Sequence, residues 1–308
     1  MRGFVEKYSS SSFMLRTQFL MLLLACGLLG AFVPVKPAYR LFTGGGKDVP
    51  YDELVKRLQG ADVVLFGELH NNPICHWLQL EISKDMHRSK GGKLVLGAEM
   101  FEADDQLVLD EYLRGMMNGQ QFQNEAKVWR NFETDYKPLL DFAKGNRIAF
   151  IATNVPRRYA SLVSKSDLGA LNSLPREARQ WIAPLPIAVD LTLPGYKNML
   201  TVVEGHGHGN ASGASLESFA KAQAVKDATM AHFILKNCSI GQTFLHFNGA
   251  YHSQNYEGIV WYLKKQNPDL KIVTIHTLEQ EDLSSLDKPG QGTADFVLAV
   301  PTGMTKTH

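Results

Sequence analysis

The sequence predicts an α/β fold in which a mostly parallel sheet is covered by helices on both faces. Short apolar segments alternate along the chain with segments of helical spacing, and short connections join them. This alternation is typical of parallel strands joined by helical crossovers. Two of the apolar segments, 63–66 and 243–247, lead into the same Gly-x-x-His sequence. With 308 residues, of which 44% are hydrophobic, the chain is long enough to bury the core of one domain.

The predicted strands are apolar enough to be buried on both faces, as strands in the middle of a parallel sheet are. In chain order they are 63–66, 93–101, 147–154, 243–247, 271–275 and 295–300. Parallel strands end at the same edge of a sheet, and open α/β sheets bind their ligands at the carboxyl edge. We therefore expect the residues that follow these strands to lie close together.

The predicted helices fill most of the intervals between the strands. They are 51–58, 73–88, 104–117, 136–144, a helix that begins near Pro156, 215–236 and 257–265. The helix at 73–88 has a clear start, because Asn72 is a capping residue and Pro73 suits the first turn. We assign no element to 118–134. Prolines and glycines interrupt the alternation in 165–212 and indicate a helical insertion at about 160–236.

The composition excludes some classes of protein. The 32 Lys and Arg residues nearly balance the 31 Asp and Glu residues, so no nucleic-acid-binding surface is predicted. The three cysteines, Cys26, Cys75 and Cys238, are too few for a disulfide framework in a chain of this length. The sequence does not decide whether Cys75 and Cys238 pair or are buried as separate thiols.

The amino-terminal part of the chain is typical of an export signal. Its apolar segment, 19–35, is a little short for a membrane span, which needs about 20 residues. Residues 23–27 resemble the bacterial lipobox, in which Cys26 would carry a lipid anchor; the alternative is cleavage further along, which would remove Cys26. We expect 1–38 to be the signal peptide or lipoprotein signal with its tether. We expect 39–308 to form a single domain, exported to the periplasm or associated with the outer membrane.

Side chains that could carry chemistry follow the predicted strands directly. They are Glu68, His70, Glu99, Asn154, Arg157, Arg158 and His252. An unpaired carboxylate against an apolar strand is costly, so Glu68 and Glu99 need partners. Arg157 or Arg158 could form a structural ion pair with them. Alternatively, two imidazoles and two carboxylates could hold a divalent transition metal with a water as nucleophile. The ligands would then be His70, His252, Glu68 and Glu99.

A glycine-rich sequence in the insertion, Gly-His-Gly-His-Gly at 205–209, contains two further histidines. His206 and His208 could bind a metal or haem from this loop, or the loop could simply be solvated. Gln223 and Asp227, which share a face of the helix 215–236, could line the same cavity as the strand ends or cap neighbouring backbone.

Five separated motifs between about residues 40 and 276 resemble the ChaN haem-binding lipoprotein family. They are 66–73, 97–101, 154–158, Ala222-Gln223 with 227–231, and 249–252. The wider group includes the Tiki proteases and the erythromycin-esterase-like proteins. The resemblance implies an α/β fold, export, and haem binding at a dimer surface in iron acquisition. It also implies that Glu68, His70, Glu99, Arg157 and His252 match the metal-hydrolase site of the wider group.

The resemblance further implies a tyrosine as the axial ligand of the haem iron, which is reasonable coordination chemistry. The candidates that stand near motifs are Tyr159, Tyr196, Tyr251 and Tyr256. The function predicted is thus an exported, homodimeric haem-binding protein of iron uptake. The alternative is a metal-dependent hydrolase in which Glu68 or Glu99 is a ligand or general base and Arg157 an oxyanion or carboxylate clamp. A third possibility is a binding module whose strand-end charges only stabilise the fold.

Overall fold

The structure, a computed structural model, describes residues 36–205 and 213–308. Residues Ala38–His308 form one compact unit. Most of the predicted signal segment, with Cys26, and both histidines of the glycine-rich sequence, His206 and His208, lie outside the described residues. Within the described ranges, no helix combines the length and the apolar character needed to span a membrane. Cys75 and Cys238 are both free thiols.

Seven strands form one sheet. They are β1 Arg40–Thr43, β2 Val63–Glu68, β3 Leu94–Glu102, β4 Ala149–Asn154, β5 Thr243–Gly249, β6 Ile272–Gln280 and β7 Phe296–Pro301. Their order is β1-β7-β6-β2-β5-β3-β4, and every neighbouring pair is parallel except β1 with β7. The predicted mostly parallel sheet is therefore confirmed.

Nine helices of at least seven residues occur in the described part of the chain. They are α1 Tyr51–Leu58, α2 Pro73–Lys90, α3 Gln106–Leu113, α4 Gly119–Glu125, α5 Lys137–Asn146, α6 Arg157–Ser166, α7 Pro194–Gly205, α8 Gly213–Asn237 and α9 Ile259–Gln266. The Asn72 side chain caps α2 by accepting from two backbone N–H groups, as expected.

Three expectations for the elements need correction. The helix predicted at 104–117 ends at Leu113, because Gly115 adopts a left-handed backbone conformation with φ +77°. The strand predicted at 271–275 extends to Gln280, because its polar second half pairs with β7. β1 was not predicted, since a four-residue strand at the sheet edge has too little sequence signal.

The segment left unassigned, 118–134, is ordered by its own local contacts. Asn118 and Gln121 form a capping box at the start of α4. A short π-helical turn, Phe132–Tyr136, then leads into α5 and buries Tyr136. This turn brings side chains from a segment with no clear sequence pattern to the carboxyl edge of the sheet.

Alternate residues of the central strands face opposite layers of helices. In β2, Val64 and Phe66 belong to a core shared with α1, α2 and α5, whereas Val63 and Leu65 belong to a core shared with α8 and α9. The two-residue period of a strand explains this division. Helices therefore cover both faces of the sheet, as predicted, and its carboxyl edge stays available for a site.

Candidate functional site

The site lies where three neighbouring parallel strands, β2, β5 and β3, end at the same edge. Glu68 is the last residue of β2, and Glu99 lies within β3, near its carboxyl end. Both carboxylates are almost completely buried. Each is paired with an imidazole, and we call these two groups the Glu68 pair and the Glu99 pair.

The Glu68 pair joins Glu68 to His70. The His70 Nδ1 atom lies 2.9 Å from Glu68 Oε1, and the Tyr136 hydroxyl donates to the same oxygen at 2.8 Å. Gln79 donates to the other oxygen of Glu68. Burial of the His70 ring opposes its charged form, but the hydrogen bond and the charge of Glu68 raise the pKa of His70. Trp129 packs edge-on against this ring, with the ring centroids 4.8 Å apart.

The Glu99 pair joins Glu99 to His252, with Asp227 on the other side of the ring. His252 Nε2 lies 3.2 Å from Glu99 Oε1, and His252 Nδ1 lies 2.6 Å from Asp227 Oδ1. Although burial opposes charge, the two carboxylates raise the pKa of His252 to about 10. Burial likewise opposes the ionised form of Glu99, but His252 holds the pKa of that carboxyl well below its usual range. Tyr196 donates its hydroxyl to Asp227 at 2.6 Å.

Gly249 lies between the two pairs and allows them to approach each other. Its backbone N–H donates to Glu99 Oε2 at 2.8 Å. A Cβ atom at this position would stand 2.9 Å from His70 Nε2 and 3.5 Å from Glu99 Oε2. The first distance is too short for a real contact, so a glycine is required. The structure therefore brings His70, Glu99 and His252 to one place, and the glycine of the second Gly-x-x-His sequence makes room for the histidine of the first.

The expected ion pairs between the arginines and the buried carboxylates are not formed, so that interpretation was wrong. Arg157 Nε lies 3.9 Å from Glu102, with 77% of the Arg157 side-chain surface exposed. Arg158 pairs with Asp104 at 2.6 Å. The first turn of α6 places both guanidinium groups beyond the end of β3 rather than beside Glu68 or Glu99. Imidazoles, not arginines, compensate the buried charges.

The donors at the strand ends are engaged with one another in this structure. A metal-bound imidazole must present a nitrogen without a proton. Both nitrogens of His252 lie beside carboxylates, and Nδ1 of His70 is engaged by Glu68, so a metal would have to displace these contacts. Among the residues that the structure describes, no group of three or more His, Cys, Asp or Glu side chains could hold a metal ion.

Sequence reasoning missed several residues of the site. Trp129 and Asn131 come from the segment to which no element was assigned, and Tyr136 is the first residue of the predicted helix 136–144; no pattern pointed to any of the three as a site residue. Gln79 was also missed, although it lies on the buried face of α2 at helical spacing from Cys75 and Ile82. Asp227 was noted as a possible lining residue, and the structure places it in contact with His252.

The candidate tyrosines differ in their hydrogen-bonding partners. The hydroxyl groups of Tyr196 and Tyr256 donate to the carboxylates of Asp227 and Asp295, and that of Tyr251 donates to the backbone oxygen of Gly195. Burial, followed by nearby carboxylates, raises the pKa of Tyr251 to about 12. Tyr159, in contrast, accepts a hydrogen bond from Arg158 Nη2 at 3.2 Å.

A mostly parallel sheet covered on both faces, with acid–imidazole pairs at its carboxyl edge, defines an α/β protein whose site is built at the strand ends. The chain belongs to the family described as haem-binding uptake, Tiki superfamily, ChaN, whose sequence profile matches residues 54–263. This match confirms the resemblance seen in the five motifs.

The chain is similar to several solved structures, and the first of them shows the same fold. ChaN of Campylobacter jejuni, described for its cofacial haem binding, superposes with a TM-score of 0.65 and 18% identity, over 86% of this chain and 97% of that one. An erythromycin esterase mutant in its open conformation gives a TM-score of 0.45 and 10% identity, over 82% of this chain and 78% of its own. A Bacillus cereus protein gives a TM-score of 0.48 and 13% identity, over 81% of this chain and 90% of its own. No curated protein matches the chain.

Proposed function

We propose that this protein is an exported haem-binding protein that takes part in iron uptake. Membership of a haem-binding uptake family supports haem as its ligand, as does the similarity in fold to a protein that binds haem cofacially. The observation that carries the proposal is the phenol oxygen of Tyr159, which accepts a hydrogen bond from a guanidinium group. Haem would supply an iron centre that tyrosinate can bind.

Tyr159 differs from the other three tyrosines in the direction of its hydrogen bond, and we assign it as the iron ligand on that ground, although its side chain is largely buried. A phenol that donates to a carboxylate or a carbonyl is held in its protonated form, as Tyr196, Tyr251 and Tyr256 are. A phenol that accepts from a cation has the kind of contact that stabilises a phenolate. His206 and His208, outside the described residues, remain candidates for a second ligand.

Arg157 fits the carboxylates of a haem. It precedes Arg158, projects into solvent, and its closest acidic group is 3.9 Å away. A guanidinium group matches a carboxylate in geometry and charge, so Arg157 would bind a propionate and orient the macrocycle. Binding at this rim would place haem beside the first turn of α6.

A hemin titration of the mature protein tests this proposal. We expect a saturable change in absorbance with features of iron–tyrosinate, and affinity lower by about tenfold or more in Tyr159→Phe, since a coordinate bond is lost. Tyr251→Phe and Tyr256→Phe are the matched controls, and each should bind as the wild type does. No saturable change in the wild type would refute haem binding, and unchanged binding by Tyr159→Phe would refute the ligand.

We also propose that haem binds at the surface of a homodimer and that Cys26, if the lipobox is used, attaches the protein to the membrane. Sedimentation with and without hemin tests the dimer, which should form or become more stable when haem is bound. Mass analysis of the mature amino terminus tests the anchor, because a lipidated Cys26 would be the first residue. A mature chain that begins after Cys26 would contradict the anchor but not export.

A hydrolase of the Tiki and erythromycin-esterase-like group is the second candidate, and the convergence of His70, Glu99 and His252 favours it. Glu68 or Glu99 would act as the general base. Metal analysis of purified protein tests the metal-dependent form. Stoichiometric zinc, manganese or cobalt that is lost in both His70→Ala and His252→Ala would support it, whereas metal-free protein that hydrolyses no ester or peptide would reject it.

A further inference from the structure

We propose that Arg158 is the positioning residue of the haem site: Asp104 fixes its guanidinium so that it donates to the phenol oxygen of Tyr159, which sets how strongly that oxygen binds iron. This inference rests on the proposed function, with Tyr159 as the ligand. It concerns a residue that touches the ligand rather than the iron.

The guanidinium of Arg158 is held on several sides. Its Nη1 donates to Asp104 Oδ2 at 2.6 Å, and its Nη2 donates to the Tyr159 hydroxyl oxygen at 3.2 Å. Its Cζ atom lies 4.5 Å from the ring centroid of Tyr159 and 5.6 Å from that of Trp181. A planar group with several fixed donors can make these contacts at once, whereas a lysine ammonium cannot.

Asp104 is arranged to hold cations. Its side chain is only 11% exposed, and Oδ2 accepts both from Arg158 and from Lys127 Nζ, the latter at 3.0 Å. Its Oδ1 atom is buried and has no hydrogen-bond partner among the described residues. A buried acceptor without a partner is costly, and such atoms in a folded protein call for an explanation. The other oxygen, Oδ2, is the one that fixes the guanidinium over Tyr159.

The expected effect follows from the chemistry of an axial oxygen ligand. A hydrogen bond to that oxygen withdraws electron density from it and so weakens its preference for ferric over ferrous iron. Removing the bond should therefore lower the reduction potential of the bound haem. It should also weaken hemin binding at neutral pH by about tenfold, because the phenol must lose its proton to bind iron and the phenolate then lacks the cation that stabilises it; this cost exceeds the gain from a more basic oxygen.

The test compares Arg158→Gln, Arg158→Lys and Asp104→Asn with the wild type. Hemin affinity and reduction potential are measured in each. Arg158→Lys keeps the positive charge but loses the planar group with several fixed N–H donors. Asp104→Asn keeps Arg158 but removes the negative charge that fixes it. We expect the hemin affinity and the reduction potential of both variants to lie between those of the wild type and those of Arg158→Gln. Lys165→Gln removes one charge from the exposed face of the same helix, two turns further on, and should match the wild type.

A second measurement needs no haem. In haem-free protein labelled with ¹³C-tyrosine, the Cζ resonance of Tyr159, assigned from Tyr159→Phe, should move in Arg158→Gln and Asp104→Asn but not in Lys165→Gln. If Tyr159→Phe abolishes binding while Arg158→Gln keeps the wild-type potential and affinity, this inference is overturned alone. If the wild type binds no hemin, the proposed function is overturned and this inference with it.

Discussion

Gly249 makes room for the ring of His70 beside Glu99, and a methyl group there would overlap that ring. We therefore expect Gly249→Ala to displace His70 and to lower the free energy of unfolding by about 1–3 kcal/mol, the usual cost of overpacking. Denaturant unfolding measures this. Gly169→Ala, where a Cβ would meet no atom within 4 Å, is the control and should stay within about 0.5 kcal/mol of the wild type. Equal stability of both variants would contradict the crowding at Gly249.

The charges of His252 and Glu99 make stability depend on pH. The pKa of His252 rises from 6.5 to about 10 on folding, so its contribution is complete below pH 6.5 and is lost as the pH approaches 10. The pKa of Glu99 is lowered from 4.5, so its contribution is complete above pH 4.5 and is lost as the pH falls. Both contributions are therefore complete between pH 4.5 and pH 6.5.

We expect His252→Gln to lose about 3–5 kcal/mol within that interval, because two buried carboxylates lose their partner. The difference from the wild type should shrink as the pH rises from 6.5 to about 10. Denaturant unfolding at several pH values measures it. Gln254→Ala, which changes a partly exposed residue in the following turn, controls for changes unrelated to the pair. A difference that is the same at pH 6 and pH 10 would show that His252 is not charged when folded.

At the scale of elements, the carboxyl-terminal segment packs against the loop that carries His70. The Thr307 backbone N–H donates to the Asn71 oxygen at 2.9 Å, and its hydroxyl donates to Asp135 at 2.6 Å. Asp135 in turn accepts from Asn131, whose amide donates to the His70 backbone oxygen at 2.8 Å. A chain of hydrogen bonds thus connects Thr307 with the backbone of the site.

Deleting residues 304–308 should loosen this loop without unfolding the sheet. We expect faster hydrogen exchange at the Asn72 amide, which donates to the Leu69 oxygen, because local opening depends on local contacts. Exchange at Leu65, in the middle of β2, should not change. Hydrogen exchange measured by mass spectrometry of peptides separates the region of Asn72 from that of Leu65. Equal protection of Asn72 before and after the deletion would contradict the role of the carboxyl-terminal segment.

At the scale of the whole molecule, haem binding should stabilise the folded chain. A ligand at 100 times its dissociation constant adds about 2.7 kcal/mol, which for a domain of this size corresponds to an increase in Tm of about 5–10 °C. Calorimetry with and without hemin measures the increase in the wild type. Tyr159→Phe should show a much smaller one, and Tyr251→Phe the full one. An increase that survives Tyr159→Phe would place the haem elsewhere.

Much of the fold could be predicted because its signals are local. A buried parallel strand has a continuous apolar sequence, and the residues that follow it identify the carboxyl edge. The sequence alone therefore points to Glu68, His70, Glu99 and His252. The partners of those side chains could not be predicted in the same way. Tyr136 reaches Glu68 from a π-helical turn that the sequence pattern does not predict. The arginines of α6 were paired with the wrong carboxylates, because the spacing of a helix does not show in which direction the helix points.

The sequence by itself determined that this chain folds as a helix-covered parallel sheet, which family it belongs to, and which strand ends carry acids and imidazoles. Tertiary structure alone decided that His252 lies between two carboxylates, that His70 fits against Gly249, and that Tyr159 accepts from Arg158. The reason is physical: strand burial and helix spacing repeat over a few residues, whereas a hydrogen bond between distant side chains depends on where packing directs each of them.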